Sequence, residues 1–308
     1  MKRFRNILVV PEHLDADDPG LRRAIDLAET NAARLTVAGL LEAQDTPDYL
    51  IPLHQEAVDS IEDRLKVAAA AARDRGVSVK TTLLIGRPFV EIIRTVLVEK
   101  HDLVMKTARG RGQPQPRLFG STAQHLLRKC PCPVWIVDPQ QSPERRGVLA
   151  ALDPDTSEPV QTALNTKIME LASSLAILET APLHVVHAWT VPYEDMIHHS
   201  PYLRVKKVEA STYIREIEER HRKRLEATVA PFRRSNPGMS VHFVKGLPET
   251  VITDIAKEHS IGVVVMATVA RTGVPGLLIG NTAENVLSRI DTSVLTIKPD
   301  AFTSPIAA

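Results

Sequence analysis

Short all-apolar runs alternate with stretches whose apolar residues recur every three or four positions, and the whole alternation occurs twice along the chain. In the first half, Ile7-Leu8-Val9-Val10 is the kind of run expected of a strand buried on both faces of a parallel sheet. Leu21, Ile25 and Ala28 follow at helical spacing, 35–40 reads as a second strand, and Val58, Ile61, Leu65 and Ala68 mark a second helix. A third strand over 77–85 stops at Gly86. Pro88 then sits where the first turn of a helix tolerates a missing N–H, with Phe89, Ile92, Val96 and Leu97 turned inward. Strand 102–106, helix 121–129 and strand 134–137 complete the half. The second half repeats the order, with strands at 148–152, 184–188, 240–245, 262–266 and 294–297. Alternating β and α units predict an α/β chain of doubly wound parallel sheets, with ligands at the carboxyl ends of the strands.

The repetition is a duplication of residues, not of pattern alone. A shift of 160 places Gly86-Arg87-Pro88 on Gly246-Leu247-Pro248, Gly120-Ser121-Thr122-Ala123 on Gly280-Asn281-Thr282-Ala283, and Val134-Trp135-Ile136-Val137 on Val294-Leu295-Thr296-Ile297. At the front, Arg5-Asn6-Ile7-Leu8 matches Arg146-Gly147-Val148-Leu149 with a shift of 141, so the second copy carries nineteen extra residues in its middle. The polar segment 138–145 holds two prolines and no apolar period, as a linker should. The expected domains are therefore 1–139 and 145–300.

Composition changes this picture mainly by exclusion. Over 308 residues the formal net charge is +1, which supplies no field to hold the chain on nucleic acid or a membrane surface. The longest apolar stretch, 261–270, is half of what a membrane span needs, and the apolar run after the first six residues is too short for a signal peptide. The two cysteines, Cys130 and Cys132, form no disulfide framework, so the cytoplasm is the expected compartment. The long helix expected over 205–233 interleaves both charge signs, as a solvated face does.

Chemistry concentrates after the fourth strand of each copy. In the second copy Met266-Ala267-Thr268-Val269-Ala270-Arg271 leads through a loop to Gly280-Asn281-Thr282, which opens a helix. Small residues let a backbone approach a ligand, and the free N–H groups of a helix start attract an anion. Here the chain resembles the universal stress protein family, specifically its tandem-domain, E-type members. The resemblance rests on Leu126–Trp135, Lys245–Glu249, Arg271-Thr272-Gly273 with Gly280–Glu284, and Ile297–Asp300, and it spans both copies. It implies five parallel strands per domain in the adenine nucleotide alpha hydrolase-like arrangement, domains paired through their last strands, and ATP at a Gly-x2-Gly-x9-Gly-Ser/Thr loop with an aspartate after the first strand.

Carried over by position, the resemblance assigns Asp153, Met266, Ala267, Ala270, Arg271, Gly280, Asn281 and Thr282 to a nucleotide site in the second copy. Alanines stand where the family's first two glycines fall. An alanine there costs about 1 kcal/mol or more if the position needs a positive φ. The first-copy counterpart is Glu12, Gly110, Gly120, Ser121 and Thr122, with Thr107 at the first glycine; it is expected to be degenerate. The implied cofactor is ATP, with Mg as its companion ion.

No nucleophile elbow, zinc-protease helix, Walker A lysine or dinucleotide fingerprint occurs, so at most slow ATP hydrolysis is expected, with Asp153 the one obvious base. Cys130 and Cys132 read as a proline-stiffened structural loop. His184, His187, His198 and His199 raise a zinc site as a weaker alternative to unrelated polar contacts. The insert 189–204 offers Trp189, Tyr193, Met196 and Tyr202 as a possible apolar-ligand lining. The expected function is a regulatory protein that binds a nucleotide or small ligand, with domains pairing within the chain and a further homodimer left open. A slow ATPase and a nucleotide-independent scaffold or carrier are the alternatives.

Overall fold

The computed structural model describes residues 4–42, 51–108, 119–155, 158–194, 196, 207–268 and 280–307. The first copy runs β1 (Asn6–Val10), α1 (Pro19–Asn31), β2 (Arg34–Leu41), α2 (Ile51–Arg73), β3 (Val79–Ile85), α3 (Pro88–Glu99), β4 (Leu103–Thr107), α4 (Ser121–Lys129) and β5 (Val134–Val137). The second runs β6 (Gly147–Ala151), α5 (Pro159–Leu178), β7 (Leu183–Trp189), α6 (Lys207–Val229), β8 (Ser240–Lys245), α7 (Pro248–Glu258), β9 (Ile261–Ala267), α8 (Asn281–Arg289) and β10 (Ser293–Ile297). Helix α6 stops short of the expected 233; a 3-10 turn at Ala230–Phe232, with Pro231 inside it, ends the run.

Ten strands form one sheet in the order β3-β2-β1-β4-β5-β10-β9-β6-β7-β8. Every pairing is parallel except β5 with β10, which is antiparallel. The central register is self-complementary. Trp135 faces Leu295, its own counterpart under the 160-residue shift, while Ile136 faces Val294 and Val134 faces Thr296. The two copies thus meet as an isologous pair inside one chain. The joint also holds the Arg23–Glu179 fork, with nitrogen–oxygen distances of 2.7–3.1 Å, and an Arg128–Glu284 ion pair.

Helices cover both faces, and each layer of core runs continuously through both copies. One apolar layer joins Leu21, Leu65, Leu164 and Leu225 over Trp135 and Leu295; the other joins Ile92, Leu126, Ile255 and Val286 over Val134 and Val294. Because central strands are buried on both faces, β5, β6 and β9 read as unbroken apolar runs, β1 as one after Asn6, and β4 as one up to Lys106. Edge strands β3 (VKTTLLI) and β8 (SVHFVK) are only half covered and mix in polar residues. Gly86 (φ +142°) and Gly246 (φ +159°) make the matching turns from β3 into α3 and from β8 into α7. A Cβ there would lie 3.0 Å from Glu91 Cγ or Val251 Cγ2, so both the dihedral and the space call for glycine. No described helix is long and apolar enough to cross a membrane.

Candidate functional site: two clefts at the switch points

In each copy the strand order reverses beside the first strand, between β1 and β4 and between β6 and β9. Such a reversal opens a crevice at the carboxyl ends of the two strands. A cleft of about 320 Å³ lies there in the first copy and one of about 190 Å³ in the second.

The second-copy cleft gathers Asp153, Met266, Ala267, Gly280 and Thr282. Asn281 opens α8 beside it, exposed. Ala270 and Arg271 lie outside the described residues. Asp153 follows β6 and is held by its backbone: its N–H donates to Asn165 Oδ1 (3.1 Å), and its carbonyl accepts from Asn165 Nδ2 (2.8 Å). The carboxylate is left facing solvent at the cleft mouth. Ala267 ends β9 and is not among the residues with positive φ, so its methyl carries no backbone strain. Gly280 donates its N–H to Thr268 O (2.8 Å), which closes the loop base and starts α8 with no side-chain cap. The first-turn N–H groups of α8 therefore point at the cleft without a capping partner.

Two further lining residues escaped the sequence reading. Gln161, 3% exposed on the first turn of α5, leaves Oε1 with no hydrogen-bond partner among the described residues, and fully buried Thr268 leaves Oγ1 in the same state. An unpaired buried acceptor or hydroxyl costs roughly 1–3 kcal/mol. Both residues belong to the lining of this one cleft. The residues fit a nucleotide in kind: an amide oxygen for an amine, a hydroxyl, and a helix start for phosphate. Asp153 is the single carboxylate in the described lining, so an Mg ion would draw its other ligands from phosphate and water. Nothing in the sequence pattern separates Gln161 from any first-turn glutamine.

The first-copy cleft gathers Glu12, Gly120, Ser121 and Thr122, while Gly110 lies outside the described residues. Its chemistry is different. Lys106, the counterpart of Met266, is buried at the end of β4 and gives its ammonium to Glu12 Oε2 (2.9 Å) and Thr107 O (3.0 Å). Asp18, buried at the N-cap of α1, takes the part played by Asn165. It accepts from Glu12 N (3.1 Å), His13 N (3.2 Å) and Thr107 Oγ1 (2.6 Å). This cleft is internally neutralised. The signal was available: Lys106 stands directly after the apolar run Leu103-Val104-Met105, where the second copy has Met266.

The histidines do not assemble as their spacing suggested. On β7, residues 184 and 187 have opposite parity and point to opposite faces of the sheet. His187 accepts or donates to His221 (2.8 Å) and contacts Leu152 O (3.2 Å), whereas His184 meets His242 and His259. His198 and His199 lie outside the described residues. In the insert, Trp189 is packed against Phe243 and Ile217, Tyr193 and Met196 are exposed, and Tyr202 lies outside the described residues. Cys130 and Cys132 are free thiols 3.6 Å apart beside buried Lys298, whose ammonium is pushed down to about 8 by burial.

A duplicated, doubly wound sheet with a helix-start cleft at each switch point defines a tandem α/β protein. The sequence profile of the Universal stress protein family matches residues 3–138 and again 145–298, and the chain belongs to that family. It is a tandem member similar along its whole length to Universal stress protein E of Escherichia coli K12, at 32% identity over 99% of this chain and 98% of that one. Similarity to the Photorhabdus laumondii Universal stress protein E is 28% over 100% and 99%. A crystal structure of a protein of unknown function from Pseudomonas aeruginosa PAO1 superposes with a TM-score of 0.73. It is 26% identical and covers 97% of this chain and 94% of its own. A universal stress protein from Archaeoglobus fulgidus shares the fold, with a TM-score of 0.61 at 18% identity over 95% and 98%.

Proposed function

We propose that this stress-family protein is a ligand-sensing regulator in the cytoplasm, with domains 1–139 and 145–300, that binds an adenine nucleotide in the second-copy cleft. The observation that carries the reading is the pair of unpartnered buried groups, Gln161 Oε1 and Thr268 Oγ1, between Asp153 and the uncapped start of α8. ATP with Mg is the form to test first. The first copy, whose Lys106 and Glu12 neutralise one another, serves as the structural twin. Ligand-induced ordering around β9 would reach the partner copy through β10 and β5, which are hydrogen-bonded neighbours.

The test is calorimetric titration of ATP, Mg-ATP and AMP into the full chain. We expect one site per chain, at least tenfold weaker in Gln161→Ala and in Asp153→Ala. No heat with any of the three at millimolar concentration overturns the reading. Phosphate release measured on the same samples separates binding from slow hydrolysis: equal background rates for wild type and Asp153→Ala rule out Asp153 as a base.

A further inference from the structure

We propose that His184, His242 and His259 form a binding site for a divalent transition-metal ion, zinc by chemical preference, at the end of the second-copy sheet opposite the cleft. The three residues come from three elements. His184 is the second residue of β7, His242 the third of edge strand β8, and His259 caps the carboxyl end of α7. Register explains the first two. His184 faces Ser240 and Val186 faces His242, so His184 and His242 are diagonal neighbours on one face of a parallel pair. That face is the one α7 covers, and the end of α7 delivers His259 onto it.

One ring nitrogen from each histidine lies within 4.8 Å of the others, and His184 Nδ1 is already 3.0 Å from His242 Nε2. Tetrahedral zinc with Zn–N bonds of about 2.0–2.1 Å places its nitrogens a little over 3 Å apart, so modest ring rotations close the set. Binding would exchange the His184–His242 hydrogen bond for two dative bonds. His184 also stacks on His242 and on His259, with centroids 5.3 and 4.8 Å apart, and the His242 and His259 rings are tilted at 4.7 Å.

The environment holds imidazole in the form a metal needs. Burial, then His242 and His259, push His184 down to about 4; burial and His259 also lower His242, against the opposing pull of Glu258. Glu258, next in sequence to His259, is the carboxylate near enough to offset part of the ion's charge. Three imidazoles leave a fourth position for water or for a carboxylate.

The fold itself does not require this cluster. At the matching places the first copy has Thr36, Thr82 and Glu99. There Thr36 Oγ1 meets His101 Nε2 at 3.1 Å and Glu99 pairs with Lys80, an arrangement of hydrogen bonds and opposite charges. The duplicated framework is stable with such groups, so three converging imidazoles are a property of the second copy. With zinc bound, edge strand β8 would be clamped to β7 and to the end of α7, which stabilises an edge otherwise held on one side only.

The experiment uses untagged full-length protein stripped with EDTA and dialysed free of it. Cobalt(II) titration should give visible d–d bands saturating at one ion per chain and displaced by zinc, and zinc should raise the melting temperature in a concentration-dependent way. His242→Ala/His259→Ala should weaken binding at least a hundredfold, and His242→Gln at least tenfold. Each variant is first shown to be folded by circular dichroism in EDTA. His198→Ala/His199→Ala and Cys130→Ser/Cys132→Ser should bind as wild type does, which places the ion at the proposed cluster. Absence of stoichiometric cobalt or zinc binding by wild type overturns the proposal. So does binding within threefold of wild type in folded His242→Gln and His242→Ala/His259→Ala, or loss of binding on removing either control pair.

Discussion

Replacing Gly280 by alanine separates a ligand site from a merely structural helix start. Gly280 has φ −71° and ψ 145°, a region any residue adopts, and a Cβ built there meets only Thr268 O at 3.8 Å, an ordinary contact. The free protein therefore has no steric reason to use glycine here. Alanine restricts the unfolded chain and stabilises by about 0.4–1 kcal/mol. It is a poorer N-cap than glycine, which offsets a similar amount. The net change should stay within about 1 kcal/mol, or roughly 2–4 °C in melting temperature for domains of this size. A phosphate seated on the first-turn N–H groups would meet the new methyl. Losing one charge-assisted hydrogen bond costs about 1.5–3 kcal/mol, a tenfold or greater fall in affinity. Calorimetry with Mg-ATP and a thermal melt on the same preparation read both quantities. Gly120→Ala, at the matching cap of α4, should leave affinity unchanged. Affinity within twofold of wild type in Gly280→Ala refutes the placement of phosphate at α8, and a melting loss above about 6 °C refutes the claim that the glycine is structurally free.

Other substitutions test the supporting geometry. Asn165→Ala removes both hydrogen bonds that hold the Asp153 backbone and should cost about 1–3 kcal/mol in urea unfolding while also weakening nucleotide binding. Lys106→Met strips Glu12 of its ammonium partner and should destabilise by roughly 1–3 kcal/mol. Glu12→Gln/Lys106→Met should recover most of that loss, because it removes the carboxylate charge that the single variant leaves without its ammonium; a double variant no better than the single one counts against this. Acid sensitivity has a defined sign. His184 sits near 4 when folded and near 6.5 when unfolded, so the unfolded chain takes up the proton first. Stability is complete above about pH 6.5 and falls as pH drops toward 4, and His187, His221 and His242, also lowered by burial, act in the same direction. A melting temperature flat between pH 7 and pH 4.5, measured in EDTA, would contradict this.

The framework was legible because its physics is repetitive. A strand buried on both faces must be apolar throughout, and a helix start after a tight turn favours proline. Hence Ile7–Val10 and Val263–Met266, or Pro88 and Pro248, announce themselves twice. The clefts were legible at the level of loops, since Asp153, Gly280 and Thr282 do share one lining. Convergence of side chains was less so. Spacing grouped His184 with His187, yet a period of two sends them to opposite faces; the partner His242 is 58 residues away and is reached only through the β7–β8 register. Gln161 likewise became visible only once its oxygen was seen to lack a partner.

The self-complementary joint explains why the two copies can differ so much elsewhere. Register between β5 and β10 is set by Trp135, Leu295 and their neighbours, all of them buried at the centre of the ten-stranded sheet. That seam constrains both copies equally, because each supplies the same strand to it. The clefts lie two strands away from the joint, and the edge strands four, so their side chains are released from the symmetry. At the switch point one copy spends its polar groups on each other, Glu12 on Lys106 and Asp18 on Thr107, while the other leaves Gln161 and Thr268 unpaired. At the amino ends of the strands one copy sets threonines and a Lys80–Glu99 ion pair where the other sets His184, His242 and His259. In both places the first copy sets opposite charges against each other, Lys106 on Glu12 and Lys80 on Glu99, and the described second-copy residues at the matching positions form no such pair. A duplicated fold allows this division, since the charge-paired copy contributes stability that an open site in its twin gives up.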